Sequence, residues 1–223
     1  MSSKQQSLNG ILAQGMLPLF FYKDAEVSLQ TTRTLYKAGV RVLEYTNRGE
    51  EALDNFALLK KAQQQEMPDL YLGIGTIKTA EQAEAFIAAG ADFIVSPIVS
   101  VEVAQIAARH GMLWIPGCMT PTEIHLAQQN KAALIKIFPA NILGPDFIAS
   151  IRDLFPGQLF MPTGGVDLTH GNICEWFHAG VCAVGMGSKL IRKNVLENGL
   201  YDHLYTDTVK VLEVIASCKY KPR

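Results

Sequence analysis

Short apolar runs and longer amphipathic stretches alternate along the chain, and this alternation predicts the fold. The runs are rich in β-branched and aromatic residues and end in Gly, Pro, Thr or Ser, whereas stretches such as "TAEQAEAFIAAG" repeat apolar residues at helical spacing. Strands that are nearly all apolar and are separated by helices are typical of a parallel sheet that helices cover. The predicted strands span residues 17–22, 41–46, 70–76, 93–97, 113–118, 134–138, 159–165 and 181–187.

Eight strand–helix units in sequence predict a closed (β/α)8 TIM barrel rather than an open doubly wound sheet. The open Rossmann alternative would place GxGxxG after the first strand, but that strand ends "FFYKDAE", which contains no glycine. Residues 1–15 are predicted as an extra N-terminal helix and residues 199–217 as a C-terminal helix. No Pro/Ser-rich linker divides the chain, so residues 1–223 are expected to form a single domain.

Composition narrows the classes of partner. The 223 residues are 48% hydrophobic and 18% charged, with a formal net charge of −1, so no nucleic-acid partner is expected. No apolar stretch reaches the ~18–20 residues that span a bilayer, and the first residues lack the apolar core of a secretory signal. We therefore expect a cytoplasmic protein without membrane association, whose cysteines are reduced thiols. These cysteines are Cys118, Cys174, Cys182 and Cys218.

A lysine interrupts the sixth predicted strand, where the chain reads "AALIKIFPAN". Glu44 interrupts the second strand in the same way, and Arg48 follows that strand closely. The C-terminal ends of barrel strands hold the active site in this fold class, so Lys136, Glu44 and Arg48 are expected to converge. Charges embedded in apolar strands are costly unless they are paired or functional.

The three charged groups suit Schiff-base chemistry on an α-keto acid. A desolvated lysine near another cation has a lowered pKa, so its free amine can attack a ketone. Arg48 can bind a carboxylate through two parallel hydrogen bonds, and Glu44 can transfer protons if burial raises its pKa. The alternative is structural: Lys136 extends its ammonium group out of the barrel end and pairs with Glu44.

Two glycine clusters follow the seventh and eighth strands. Gly164 and Gly165 in "PTGG", and Gly187 with Ser188 in "GMGS", would offer backbone N–H groups to a phosphate, although such glycines can also simply turn a strand into a loop. The second cluster lacks the spacing of a P-loop. No metal is expected, because none of the five histidines lies at metal-ligand spacing from another histidine or an acid.

These segments resemble the KDPG/KHG aldolases in order and approximate spacing. The motifs are "RVLEYTNR", "GIGT", "VSP", "IPGCMTPTE", "KIFPA", "PTGG" and "GMGS", and the resemblance covers roughly residues 10–200. The family comprises 2-dehydro-3-deoxy-6-phosphogluconate (KDPG) and 4-hydroxy-2-oxoglutarate (KHG) aldolases. Membership implies a metal-free class I aldolase, a homotrimer, whose only cofactor-like group is the covalent Schiff base with substrate on Lys136.

The resemblance also assigns roles to individual residues. It implies that Glu44 is the general acid and base beside Lys136. The residues that it assigns to substrate binding are Arg48 and Thr76 at the pyruvate end, Pro97 and Thr163 along the pocket, and Gly164, Gly165, Gly187 and Ser188 at the distal phosphate.

The expected reaction is reversible cleavage of a 4-hydroxy-2-oxo acid. KDPG would give pyruvate and glyceraldehyde 3-phosphate, and KHG would give pyruvate and glyoxylate. Three alternatives stay open: 2-dehydro-3-deoxy-6-phosphogalactonate aldolase, a phosphate-binding barrel transferase or isomerase such as thiamine-phosphate synthase, and a non-catalytic barrel that binds pyruvate. Departures from the family pattern at Asn47, Asn141, Asp167 and Lys189 leave the distal half of the substrate open.

Overall fold

The computed structural model describes residues 3–219 and shows the predicted parallel barrel with its covering helices. Every strand pairing in it is parallel. The strands are β1 Met16–Phe20, β2 Val42–Thr46, β3 Tyr71–Gly75, β4 Phe93–Val95, β5 Leu113–Ile115, β6 Gly117–Cys118, β7 Leu134–Ile137, β8 Leu159–Pro162 and β9 Val184–Met186.

Pro116 divides the fifth predicted strand into β5 and β6. Proline lacks a backbone N–H and cannot donate to a neighbouring strand, but the Pro116 carbonyl accepts a hydrogen bond from the Lys136 N–H at 2.9 Å. Strand β5 therefore ends a sheet ordered β5-β4-β3-β2-β1-β9, and β6 begins a second sheet ordered β6-β7-β8. A bridge between Thr163 and Gly185 joins the two sheets on the other side and closes the barrel.

Helices cover the barrel where amphipathic stretches predicted them. Asp24, Thr79 and Ser100 are the N-caps of three of these helices, and each side chain accepts a hydrogen bond from a backbone N–H of the first turn. The helices are α1 Ser3–Gln14, α2 Ala25–Lys37, α3 Ala52–Glu66, α4 Ala80–Ala88, α5 Val101–Arg109, α6 Pro121–Gln129, α7 Ala140–Ile151, α8 His170–Ala179, α9 Lys193–Asn198 and α10 Tyr201–Lys219. Helix α7 is interrupted at Gly144, which has a φ of 71°.

The two predicted terminal helices are present with shifted bounds. Helix α1 covers the described part of the predicted N-terminal helix; residues 1 and 2 lie outside the described residues. At the other end, Gly199 has a φ of 62° and ends α9, so α10 begins later than predicted and runs from Tyr201 to Lys219.

Apolar side chains fill one end of the barrel interior. Leu8 and Ile11 of α1 pack in one cluster with interior residues of the strands, among them Val42 and Leu134. Side chains alternate between the two faces of a strand, so the residues that follow these at intervals of two also face the interior, nearer the C-terminal ends of the strands. The polar residues of the site lie in this second layer.

A disulfide joins Cys174 on α8 to Cys218 on α10, with Cα atoms 5.0 Å apart. The expectation that all cysteines are thiols is wrong for this pair, and at a sequence separation of 44 no local pattern indicated that they would be joined. Cys118 and Cys182 are free, and burial raises the pKa of each thiol to about 12. Within residues 3–219, no helix combines the length and apolarity needed to cross a bilayer.

Candidate active site

Lys136 and Glu44 face the barrel interior from β7 and β2. Each lies two residues beyond an apolar interior residue, Leu134 and Val42 respectively, and therefore shares its face of the strand. Lys136 is 4% exposed and Glu44 is 1% exposed. Both side chains therefore lie inside the barrel, where the sequence predicts that Lys136, Glu44 and Arg48 converge.

Burial dominates the electrostatics of both groups. It raises the pKa of the Glu44 carboxyl, with Lys136 and Arg48 opposing the rise. It lowers the pKa of the Lys136 amine, Arg48 acts in the same direction, and Glu44 opposes. Both shifts favour the neutral forms, a free amine beside a protonated carboxylic acid.

The arrangement differs from a structural ion pair. Among the residues that the structure describes, neither oxygen of the Glu44 carboxyl has a hydrogen-bond partner, and the carboxyl makes no ion pair with Lys136. Buried structural charges are normally paired and hydrogen-bonded. Lys136 and Glu44 therefore do not form the structural ion pair of the alternative hypothesis.

Glycine on the neighbouring strand leaves room for the Glu44 side chain. Gly75 on β3 lies beside Thr46 in the β2–β3 register, and a Cβ atom at Gly75 would overlap Glu44 Oε1. Gly185 has the same relation to Thr163, because its Cβ would overlap Thr163 Oγ1. Sequence reasoning missed Gly75 as a site residue, although it belongs to the "GIGT" motif, whereas Gly185 belongs to the "GMGS" cluster.

A cavity of about 260 Å³ lies at the C-terminal ends of the strands. The Lys136 amine approaches its wall, with Nζ 5.0 Å from the centroid of the Phe138 ring. The residues that line the cavity are Leu19, Phe20, Phe21, Thr46, Arg48, Phe138, Thr163, Gly164, Gly165, Val166, Gly185, Gly187, Ser188 and Lys189. Six of the eight predicted substrate-binding residues are among them.

Thr76 and Pro97 are not part of this lining. Thr76 directly follows β3 and has a φ of 64°, and Pro97 follows β4, where its carbonyl oxygen lies against Gly117. Both lie at the C-terminal ends of strands, and their predicted contacts with substrate stay predictions.

The glycine loop after β8 packs against Asn141. Gly164 and Gly165 have φ values of 94° and 76°, which non-glycine residues rarely adopt. A Cβ atom at Gly165 would lie 2.6 Å from the Asn141 Cβ. Asn141, one of the departures from the family pattern, therefore packs against this loop.

Two charged residues near this loop, Lys189 and Asp167, differ in their position relative to the cavity. Lys189 lines the cavity, but Asp167 does not. The Asp167 carboxylate accepts the N–H of Leu168 at 2.5 Å, and the Asp167 N–H donates to Asn172 at 2.7 Å. Asp167 does not cap helix α8, whose N-cap is Thr169, without a side-chain hydrogen bond.

One further group of potential ligands lies away from the cavity. Atoms of His170, Cys174 and Cys218 that could bind a metal lie within 4.8 Å of one another. The two sulfurs are joined in the disulfide, and the His170 Nε2 is 3.6 Å from the Cys174 sulfur. Disulfide sulfurs are not the thiolates that bind metals, so the group as it stands is a cross-link and not a metal site.

Comparison with known proteins agrees with this geometry. The model of the family "KDPG and KHG aldolase" matches residues 9–206. The chain belongs to the KDPG and KHG aldolase family. The family resemblance predicted from the motifs is thereby confirmed, and the match favours an aldolase, a carbon–carbon lyase, over the transferase or isomerase alternatives.

Individual relatives of the family support the assignment. The 2-dehydro-3-deoxy-phosphogluconate aldolase of Treponema pallidum (strain Nichols) is 31% identical over 202 residues, which are 90% of this chain and 93% of the relative. The 2-dehydro-3-deoxy-6-phosphogalactonate aldolase of Escherichia coli (strain K12) is 36% identical over 122 residues, 54% of this chain and 58% of the relative.

A solved structure resembles the fold over nearly the whole chain. The KDPG aldolase of Legionella pneumophila, with pyruvate captured at low pH as a covalent carbinolamine intermediate, superposes with a TM-score of 0.83 at 27% identity. The similarity covers 91% of this chain and 96% of that one.

Proposed function

We propose that this protein is a class I aldolase that reversibly cleaves KDPG to pyruvate and glyceraldehyde 3-phosphate through a Schiff base on Lys136. One observation carries the proposal. A buried lysine with a lowered pKa and a buried glutamate with no hydrogen-bond partner within the described residues lie in the barrel interior, beneath a cavity lined by Arg48. Nucleophilic and acid–base groups in such a setting suit covalent catalysis on a ketone.

The reaction starts with attack of the free Lys136 amine on the C2 ketone, which gives a carbinolamine. Protonated Glu44 donates a proton to the departing hydroxyl, so water leaves and a cationic imine forms. The C4 hydroxyl then loses its proton to the Glu44 carboxylate as the C3–C4 bond breaks. The electron pair of that bond moves to the imine, which gives an enamine and releases the aldehyde.

The second half regenerates the enzyme. The enamine takes a proton at C3 from Glu44 and becomes the imine of pyruvate, and water adds to its C2. Loss of the Lys136 amine then releases pyruvate. Glu44 alternates between acid and base in every step, which a carboxyl with a raised pKa can do near neutral pH.

The binding residues arrange the substrate along the cavity. Arg48 holds the C1 carboxylate, with Thr76 assisting, and Pro97 and Thr163 flank the carbon chain. The backbone N–H groups of the two glycine loops bind the distal phosphate, with the Ser188 hydroxyl, and Lys189 adds a positive charge beside them. The residues of these loops are Gly164, Gly165, Gly187 and Ser188.

The gluconate series is the first candidate, because the relative of that name matches 90% of this chain at 31% identity, and the galactonate series, whose relative is 36% identical over 54% of the chain, is the alternative. A substrate panel tests the proposal. KDPG, KHG and the phosphogalactonate epimer are each supplied to the enzyme, and pyruvate release is followed. KDPG is expected to have the highest kcat/KM. A protein that binds pyruvate but cleaves none of the three contradicts the proposal and supports a non-catalytic barrel.

We further propose that the enzyme is a cytoplasmic homotrimer that needs no metal or organic cofactor. Family membership supports this assembly, and the mass in solution by light scattering tests it. A reducing cytoplasm would hold Cys174 and Cys218 as thiols. Because both cysteines are buried, cells are quenched in acid and the protein is denatured before alkylation, which is expected to label both cysteines without a reductant; a pair that is labelled only after reduction would contradict the location.

A further inference from the structure

Thr46 stands next to Glu44 on the interior face of β2, one side-chain repeat nearer the mouth of the barrel. It is 1% exposed and lines the cavity. Its hydroxyl has no hydrogen-bond partner within residues 3–219. The residue paired with it across the strands is Gly75, which offers no side chain.

Three buried threonines away from the cavity are satisfied, whereas Thr163, on the cavity wall, also has no partner for its hydroxyl among the described residues. Thr31, Thr32 and Thr208 each donate the hydroxyl to the backbone carbonyl four residues earlier, at 2.7, 2.9 and 2.6 Å respectively. Buried hydroxyls in folded proteins are nearly always bonded in this or a similar way. The two exceptions, Thr46 and Thr163, both lie on the wall of the cavity, which indicates that their partners come from outside the chain.

We propose that Thr46 binds the hydroxyl on the carbon next to the aldehyde carbon, and so selects α-hydroxy aldehydes as the acceptor half of the substrate. In the six-carbon substrate this is the C5 hydroxyl. The inference rests on the proposed function, because it takes Lys136 as the site of C2 and the glycine loops as the site of phosphate.

Position and chemistry both lead to this hydroxyl. Strands advance ~3.3 Å per residue, so Thr46 lies farther along the path from Lys136 to the loops than Glu44, which serves the C4 oxygen. A threonine hydroxyl both donates and accepts, which suits an alcohol. Arg48 at one end of the cavity, and Ser188 with Lys189 at the other, meet the anionic ends of the substrate, and Thr163 directly precedes the glycines of the phosphate loop.

A comparison of two acceptors tests the inference. Pyruvate is condensed with glyceraldehyde 3-phosphate or with its deoxy analogue, 3-oxopropyl phosphate, by wild type, Thr46→Val and Thr46→Ser. Wild type is expected to prefer the hydroxylated aldehyde by about 10-fold in kcat/KM, the size of one hydrogen bond. Thr46→Val loses the preference, because valine has the shape of threonine without the hydroxyl, and Thr46→Ser keeps it.

Two further readouts separate binding from structure. Borohydride trapping of pyruvate is expected to be unchanged in Thr46→Val, because the hydroxyl serves only the acceptor half. The Tm is expected to be unchanged or higher, because the lost hydroxyl had no partner. Thr208→Val, which removes a bonded hydroxyl far from the cavity, is the matched control and lowers the Tm with no change in acceptor preference.

Three results overturn the inference. They are an unchanged preference in Thr46→Val, a wild type with no preference, or an equal loss toward both acceptors together with a lower Tm, which marks a structural role. A wild-type protein that traps no pyruvate would instead contradict the proposed function, and this outcome is distinct from the other three.

Discussion

Two lysines are buried to a similar extent, but only one has a counter-ion. Lys60 on α3, outside the barrel, is 6% exposed and pairs with Asp92 at 2.7 Å. Lys136 in the barrel interior is 4% exposed, and its amine forms no ion pair among residues 3–219. Glu44 is the carboxyl that influences the pKa of Lys136, and its own oxygens have no hydrogen-bond partner among the described residues.

The difference shows what marks a functional lysine. Asp92 also accepts the Leu72 N–H at 2.7 Å, so the Lys60 pair is a satisfied structural contact. A buried charge without such partners is maintained at a cost in stability, and sites of this kind are concentrated in active sites. Burial alone therefore does not distinguish the two lysines, whereas the missing partner does.

Replacing each lysine by methionine should separate the two roles most strongly. Lys136→Met is expected to lower kcat by about 10⁴-fold or more, because no other group forms the Schiff base. Lys60→Met is expected to leave kcat within about twofold and to lower the free energy of unfolding by about 2 kcal/mol, because Asp92 loses its partner. Pyruvate release and urea denaturation measure the two effects. Pyruvate release by Lys136→Met would show that Lys136 is not the catalytic lysine.

The two carboxyls should differ in the same way. Glu44→Gln is expected to lower kcat by about 10²- to 10⁴-fold, because the amide cannot transfer protons. Asp92→Asn, its control, destabilises the fold and leaves kcat of the folded enzyme near the wild-type value. Equal losses of kcat in both variants would show that Glu44, like Asp92, has a structural role.

The space that Gly75 leaves for the Glu44 side chain should have a smaller effect on kcat than the charged groups themselves. Gly75→Ala is expected to lower kcat by about 10- to 100-fold, because the new methyl group displaces the carboxyl from its position. Gly171→Ala is the control, since a Cβ at Gly171 meets no atom within 4 Å. Initial rates on KDPG measure both variants. Wild-type rates for Gly75→Ala would show that the position of the carboxyl is not critical.

The pH dependence of stability tests the unpaired state of Lys136 itself. Burial lowers its pKa, so between that lowered pKa and the ordinary value of about 10.4 the unfolded chain binds the extra proton. Stability therefore rises with pH across this window. In a Glu44→Gln background, the free energy of unfolding should rise with pH more steeply than after additional Lys136→Met. If the free energies of unfolding of the two variants changed with pH in parallel, the lowered pKa of Lys136 would be contradicted.

The barrel topology made the centre of the site predictable. Lys136 and Glu44 are charges embedded in apolar strands, and a parallel barrel brings the C-terminal ends of its strands to one mouth. The glycine loops followed from the same rule. Pro116 showed its effect only in the structure, because the position of a break in pairing depends on which neighbour each half of the strand meets.

Features that depend on contacts between distant segments were not predictable. The overlap of a Cβ at Gly75 with Glu44 requires the register of β2 and β3. The missing partner of Thr46 is visible only once every neighbouring atom is placed. The Cys174–Cys218 disulfide depends on how α10 packs against α8, which no local pattern encodes.

Covalent trapping tests the central claim most directly. The protein is incubated with pyruvate and borohydride, digested, and the modified lysine is identified by mass spectrometry. The account predicts one reduced pyruvyl adduct, on Lys136, and none on Lys60 or in Lys136→Met. An unmodified protein, or an adduct on Lys60, would contradict it.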